Sequence, residues 1–133
     1  MSDETDLIAR YFEAFNANDS EGMLALVSDD VMHFPNQGTQ RNGREAFAAF
    51  LTEMDRAYSE EARDLALFDG PHGRVAAEFV IHGSYLETQD GLPEATGQRY
   101  VLPVGSFFQV TDGRIASVRT YYNLTDWLAQ VGG

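Results

Sequence analysis

Cysteine is absent from this 133-residue chain, which excludes disulfides, a thiolate nucleophile and cysteine-held zinc. Histidine is scarce: His33, His72 and His82 are the three, and no two stand at the spacing of a zinc motif. Basic residues number nine against twenty-one acids, and a formal charge of −12 repels phosphate backbones and anionic bilayers. Nucleic acid and membrane are therefore not expected partners. No run approaches the roughly eighteen apolar residues of a membrane span. The acidic start "MSDETDLIAR" lacks the apolar stretch of a signal peptide, so a cytoplasmic location is expected. No repeat, low-complexity tract or linker divides the chain, and its length suits a single domain over residues 1–133. An apolar share of 44% with 12% aromatics supplies one good core.

What is present falls into two patterns. Leu7, Ile8, Tyr11, Phe12 and Phe15 recur at helical spacing behind an acid-rich first turn, which the helix dipole favours. The segment "NANDS" interrupts this run, and Asp19 or Ser20 caps a short second helix carrying Met23, Leu24, Leu26 and Val27. A capping-box-like "NGRE", with Asn42 as cap and Glu45 beyond it, opens a third helix striped by Phe47, Phe50, Leu51 and Met54. From about residue 62 the pattern becomes strand-like. "RDLALFD" ends at the turn "GPHG", "RVAAEFVIHGSYLE" reads as a long strand, and "TQDGLPEATG" as a loop. "RYVLPVGSFFQV" and "RIASVRTYYN" make a hairpin about Asp112-Gly113, and a last short helix carries Trp127 and Leu128. Pro103 and Gly105 are poor central-strand residues, so a bulge or sharp bend is expected there. The class is α+β, with N-terminal helices packed on a strongly curved, mostly antiparallel sheet. Both parities of the later strands are largely apolar, so one sheet face is expected to cover the helices and the other a second copy in a homodimer.

The pieces "ARYFEAFNANDSEGM", "SDDV", "NGREAFAAF", "HGSYLETQDGLPEATGQR" and "DGRIASVRTYYN" follow one another in a telling order. That order resembles the NTF2-like cone over essentially the whole chain, and within it the ketosteroid isomerase and SnoaL-like polyketide cyclase branch. The resemblance implies an apolar, aromatic-lined pocket for a hydrophobic small molecule, with no cofactor. It also implies enolate chemistry: an aspartate base, with a tyrosine and a protonated aspartic acid holding the enolate oxygen. Tyr11 matches the oxyanion tyrosine. The base position falls on Phe34 or, by another anchor, on Pro35, and the second acid falls on Gly105. The aspartate that ends the last strand in the cyclase branch is matched by Asn123. None of these four can take up a proton.

Substitutes are therefore sought among the remaining polar residues. His33 lies beside the lost acid and its imidazole titrates near neutral pH, although alternation turns it away from the pocket if Phe34 points in. His82 and Glu78 share one face of a strand, either as a proton-carrying pair or as outer-face partners of Arg119. The matched spacing puts Ala77, Phe79 and Ile81 on the pocket wall, joined by Phe34, Tyr122 and Asn123 as substrate contacts. Tyr85 and Tyr100 are polar-tipped aromatics without a spacing argument, and His72 belongs to a solvated turn. Three functions remain open. An enzyme would enolise, cyclise or dehydrate a hydrophobic carbonyl compound through Tyr11 with His33 or His82. A binding protein would keep the pocket without the chemistry. A purely structural dimerisation module would fill the pocket with its own rings.

Overall fold

The computed structural model describes residues 2–132. Helix α1 (Asp3–Asn16) starts on a reciprocal cap: the Thr5 amide donates to the Ser2 hydroxyl at 3.1 Å, and the Ser2 amide donates to the Thr5 hydroxyl at 3.0 Å. Its buried stripe is Leu7, Ile8, Tyr11 and Phe12, as the spacing predicts. Asp19 caps α2 (Ser20–Leu24), its carboxylate accepting from the Gly22 amide at 2.9 Å. Strand β1 (Val27–Phe34) and the two-residue β2 (Arg41–Asn42) lead to α3 (Arg44–Ala57). Here Asn42 is not the cap. It belongs to β2, paired with Met32, and its side-chain oxygen accepts from Gln40 at 2.8 Å. Gly43 caps α3 instead, at a φ of 96° that suits glycine alone.

Strands β3 (Tyr58–Asp69), β4 (Arg74–Tyr85), β5 (Arg99–Thr111) and β6 (Arg114–Tyr122) follow, and α4 (Leu124–Val131) packs along β5. The six strands form one sheet in the order β2-β1-β6-β5-β4-β3, antiparallel except where β1 runs parallel to β6. Asp112 and Gly113 make the expected hairpin turn with φ of 52° and 75°. Strand β3 begins four residues before the expected position, directly at the end of α3.

The bend is not where Pro103 and Gly105 suggested. Pairing of β4 with β5 runs unbroken from Arg74–Gln109 to Ser84–Arg99. Val101 turns its N–H and C=O away from β4 to the Gln130 side chain, at 2.9 and 2.8 Å. Pro103 shares that side, and β6 has already ended at the Tyr122–Val104 pair, so its missing N–H breaks no ladder bond. The sheet is bent on β3 instead, where Asp64 and Leu65 together oppose Phe79, with φ of 56° at Asp64.

Strand alternation then sorts the side chains. Ala77, Phe79 and Ile81 of β4 and Leu102, Val104, Ser106 and Phe108 of β5 are buried against the helices. Glu78, His82, Val101, Pro103, Gly105 and Phe107 take the outer face. Asn16, the last residue of α1, ties edge strand β3 to the helix. Its Nδ2 donates to the Ala62 carbonyl at 3.0 Å and its Oδ1 accepts from the Ala62 amide at 2.8 Å. This amide replaces the neighbour that an edge strand lacks. Asn16→Ala should therefore lower unfolding free energy in urea by about 1–3 kcal/mol, with little change in the denaturant slope.

Candidate functional site

Glu60 sits on β3 with the inward parity of Tyr58 and Ala62. Its register partner on β4 is Gly83, whose partner on β5 is Tyr100. Tyr100 is therefore two strands away, yet its hydroxyl donates to Glu60 Oε2 at 2.5 Å. The ring reaches across the bare face of Gly83, where an added Cβ would stand 2.6 Å from the Tyr100 hydroxyl oxygen and Cζ. Glycine here is a gap that the tyrosine occupies. Glu60 Oε1 has no hydrogen-bond partner among the described residues and is not sealed from solvent.

Aromatic rings surround this row. Tyr58 stacks on Tyr85 at 5.5 Å, and Trp127 stands edge-on to Tyr85 at 5.1 Å and to Tyr100 at 6.0 Å. The Tyr85 hydroxyl donates to the Pro93 carbonyl at 2.7 Å and anchors the loop between β4 and β5. Tyr122 reaches the same interior, and its backbone amide donates to Asn36 Oδ1 at 3.2 Å. Burial pushes the Glu60 carboxyl above the ordinary carboxylate range, and the Tyr100 hydrogen bond offsets part of that rise. Burial also raises the phenols of Tyr58, Tyr100 and Tyr122, with the Glu60 charge adding to each. Tyr58, Glu60, Tyr122 and Asn36 are only half-buried, so interior polar atoms meet solvent at this end of the sheet.

The residues singled out from the sequence are dispersed. Tyr11 lies in the core, edge-on to Phe12 at 5.6 Å and Phe108 at 5.4 Å, and burial raises its phenol well above the usual range. Its hydroxyl has no hydrogen-bond partner among the described residues. His33 and Phe34 have exchanged the expected directions. His33 points inward, buried between Phe47 at 5.1 Å and Phe50 at 4.4 Å, whereas Phe34 lies on the outer face with the Arg119 guanidinium 3.6 Å above its ring. Alternation from buried Val31 gives the same faces, against the family match that set Phe34 inward. Burial, with the Arg41 charge second, lowers His33 to about 4, so it is a neutral and weak base at pH 7.

His82 faces outward between Glu61 and Val101, on the opposite side of the sheet from Tyr11 and Glu60. Phe79 does face inward, but it is a core ring 4.8 Å from Phe12. Asn123 is occupied as the cap of α4, its Oδ1 accepting from the Asp126 amide at 3.1 Å. Gly105 lies on the outer face, so the inward neighbours at the second acid position are Val104 and Ser106. Two surface hollows, of about 220 Å³ beside Phe68, Arg74 and Phe107 and about 460 Å³ beside Glu21, Arg44 and Arg114, contain none of these residues. No set of three or more His, Cys, Asp or Glu side chains able to hold a metal occurs among the described residues.

The family model of the SnoaL-like domain matches residues 8–118. The chain belongs to the SnoaL-like family. A solved structure from Silicibacter sp. TM1040, named a "putative polyketide cyclase", is 53% identical and superposes with a TM-score of 0.95, covering 98% of this chain and 96% of that one. Aklanonic acid methyl ester cyclase DauD of Streptomyces sp. strain C5 is 29% identical, over 99% of this chain and 83% of its own length. An NTF2-like protein of Burkholderia pseudomallei, 14% identical with a TM-score of 0.84 over the full length of both chains, shares the fold. The cone expected of an NTF2-like chain is thus present.

Within this SnoaL-like cone the interior acid, Glu60, lies on the part of β3 that precedes the strand-like pattern expected from about residue 62. The alternation of Tyr58, Glu60 and Ala62 in "YSEEARDL" was the available signal. The Gly83–Tyr100 part of the row needed the register. For His33, whose folded pKa lies below 6.5, the unfolded chain takes up a proton first as pH falls. The stability this neutral imidazole contributes is present above about 6.5 and is lost as pH drops toward about 4. Replacement by an aromatic that cannot titrate, His33→Phe, should flatten the acid side of the melting-temperature profile across that window.

Proposed function

We propose that the chain is a SnoaL-like enzyme that moves a proton at the carbon beside a carbonyl group in a hydrophobic small molecule, and so closes a ring. Its relatives named as cyclases support the reading. The observation that carries it is the interior polar cluster of Glu60, Tyr100, Tyr122 and Asn36, set among aromatic rings and open to solvent on one side. The chain contains no lysine, so carbon-acid activation through an imine of the protein is closed to it. The proton must be taken directly. Tyr122, beside Glu60 in the interior, presents a phenol to the developing oxyanion.

Intramolecular aldol closure conserves every atom: an α C–H and a C=O become a new C–C bond and a hydroxyl, so product and substrate have one mass. The test is incubation in heavy water with 2-tetralone, a simple enolisable ketone, and with aklanonic acid methyl ester. Deuterium at the α-carbon and a ring-closed product are expected. Broadened ligand resonances with neither change would make the chain a binding protein. The absence of an acid at the inward positions Val104 and Ser106 is what keeps that second reading in view.

The outer face carries Phe68 on β3, Val101 and Phe107 on β5 and Tyr121 on β6, each at least 44% exposed, with Phe107 and Tyr121 edge-on at 5.8 Å. A patch of this kind suits a second copy of the chain, which would bury the same residues on both sides. Sedimentation should give a dimer for the native chain and a monomer for the Phe107→Glu, Tyr121→Glu double variant. A monomeric native chain at micromolar concentration would overturn the assembly.

A further inference from the structure

We propose that Glu60 is the proton-transfer group of this site and that Tyr100, seated in the gap at Gly83, is its positioning residue. The inference rests on the enolising reading above and gives it a base. The other candidates are removed by geometry: His82 faces outward, His33 is enclosed by Phe47 and Phe50, and Asn123 caps a helix. Glu60 alone of these combines an inward side chain, a fixed orientation through Oε2, and a second oxygen without a hydrogen-bond partner among the described residues. Two features mark the arrangement as built. A glycine inside a strand paired on both sides weakens that strand, and Gly83, near the end of β4, is required by the crossing of the Tyr100 ring. A carboxylate drawn partly out of water without a cation is costly, and Glu60 has no ion pair among the described residues. The titratable groups facing it are Tyr58 on its own strand, Tyr85 on β4, Tyr100 on β5 and Tyr122 on β6, with Glu53 of α3 beside Tyr58. None of them is cationic.

The step balances without any oxidant or co-reactant. Glu60 Oε1 takes the α-proton, and the C–H electron pair becomes the C=C of an enolate whose oxygen is met by a phenol. The enolate carbon then bonds to a second carbonyl carbon, whose π pair becomes an alkoxide. The proton on Oε1 passes to that alkoxide and the carboxylate is restored. The substrate class is a hydrophobic dicarbonyl compound.

The test uses the whole chain and 2-tetralone, followed by proton NMR in heavy water across pH. The native chain should accelerate α-exchange, with a rate that rises with pH as Glu60 loses its proton. Glu60→Gln should lose about a hundredfold or more. Tyr100→Phe removes the hydrogen bond that holds the Glu60 pKa down, so its rate limb should move to higher pH while exchange persists. That displacement is read without altering Glu60, which covers the case of a Glu60 variant that does not fold. Native-rate exchange by folded Glu60→Gln would overturn the assignment and leave the enolising function intact. A native chain no faster than buffer would overturn both, and an unmoved limb in Tyr100→Phe would overturn the role of Tyr100.

Discussion

Phe12 stands edge-on to Phe79 at 4.8 Å and to Phe108 at 5.9 Å, and through these rings α1 is held in the hollow of the sheet. Edge-to-face pairs add about 0.5–1.5 kcal/mol each beyond their burial, so this cluster strengthens the joint between helix and sheet. Everything at the site follows from that seating. With α1 in the hollow, Asn16 at its end reaches the backbone of Ala62 and holds the edge strand β3 against the helix. Glu60 is two residues away on the same strand. The bulge at Asp64–Leu65 then lets β3 bend past this clamp while Leu67 returns to the inward parity. The β3–β4 pairing and this clamp together set the position of the interior acid.

Charge is distributed to the same end. The arginines are spent on the periphery: Arg119 over Phe34, Arg41 over Phe50 at 5.2 Å, and Arg44 paired with Asp29 at 2.7 Å. None pairs with Glu60 among the described residues. Burial acts on His33 and Glu60 in opposite directions, because in each case it opposes the charged form: it lowers His33 and raises Glu60. The outcome for function is opposite too. A histidine pushed to about 4 is a poorer base than a free imidazole, whereas a raised carboxyl is a better one than a free carboxylate. The residue type that seemed lost from the pocket is recovered by its environment.

The sequence shows the periodic part of this architecture plainly. The stripe of α1, the Asp112-Gly113 hairpin and the order of helices before strands are all written in local spacing, because each depends on residues a few positions apart. The errors arise where a nonlocal pairing decides. His33 and Phe34 are the exception: alternation from buried Val31 gives their observed faces, and the match to the family's base position is what set Phe34 inward. Pro103 looked like a break because its neighbours were unknown, and it is harmless because β6 stops one pair short of it. Asn42 carried a good cap signature but was already committed to a strand. The Glu60–Gly83–Tyr100 row joins residues 40 positions apart, and no window of local pattern contains both ends.

The placement of Glu60 also bears on how one cone can keep a type of chemistry while changing its residues. The ketosteroid isomerase pattern puts its second acid on the strand that is β5 here, where the inward side chains are Val104 and Ser106. A carboxyl on β3 reaches the same interior from two strands away, and Tyr100 of β5 marks the distance that has to be spanned. Side chains from several strands converge on one volume in a strongly curved sheet, so an acid is not bound to one position in the chain. What must be preserved is a desolvated place, a hydrogen bond that fixes the carboxyl, and one oxygen left free. A residue-by-residue match to the family pattern reports the loss of the familiar acid. The cross-strand register reports an acid elsewhere in the same interior, level with Tyr100 rather than with Val104 and Ser106.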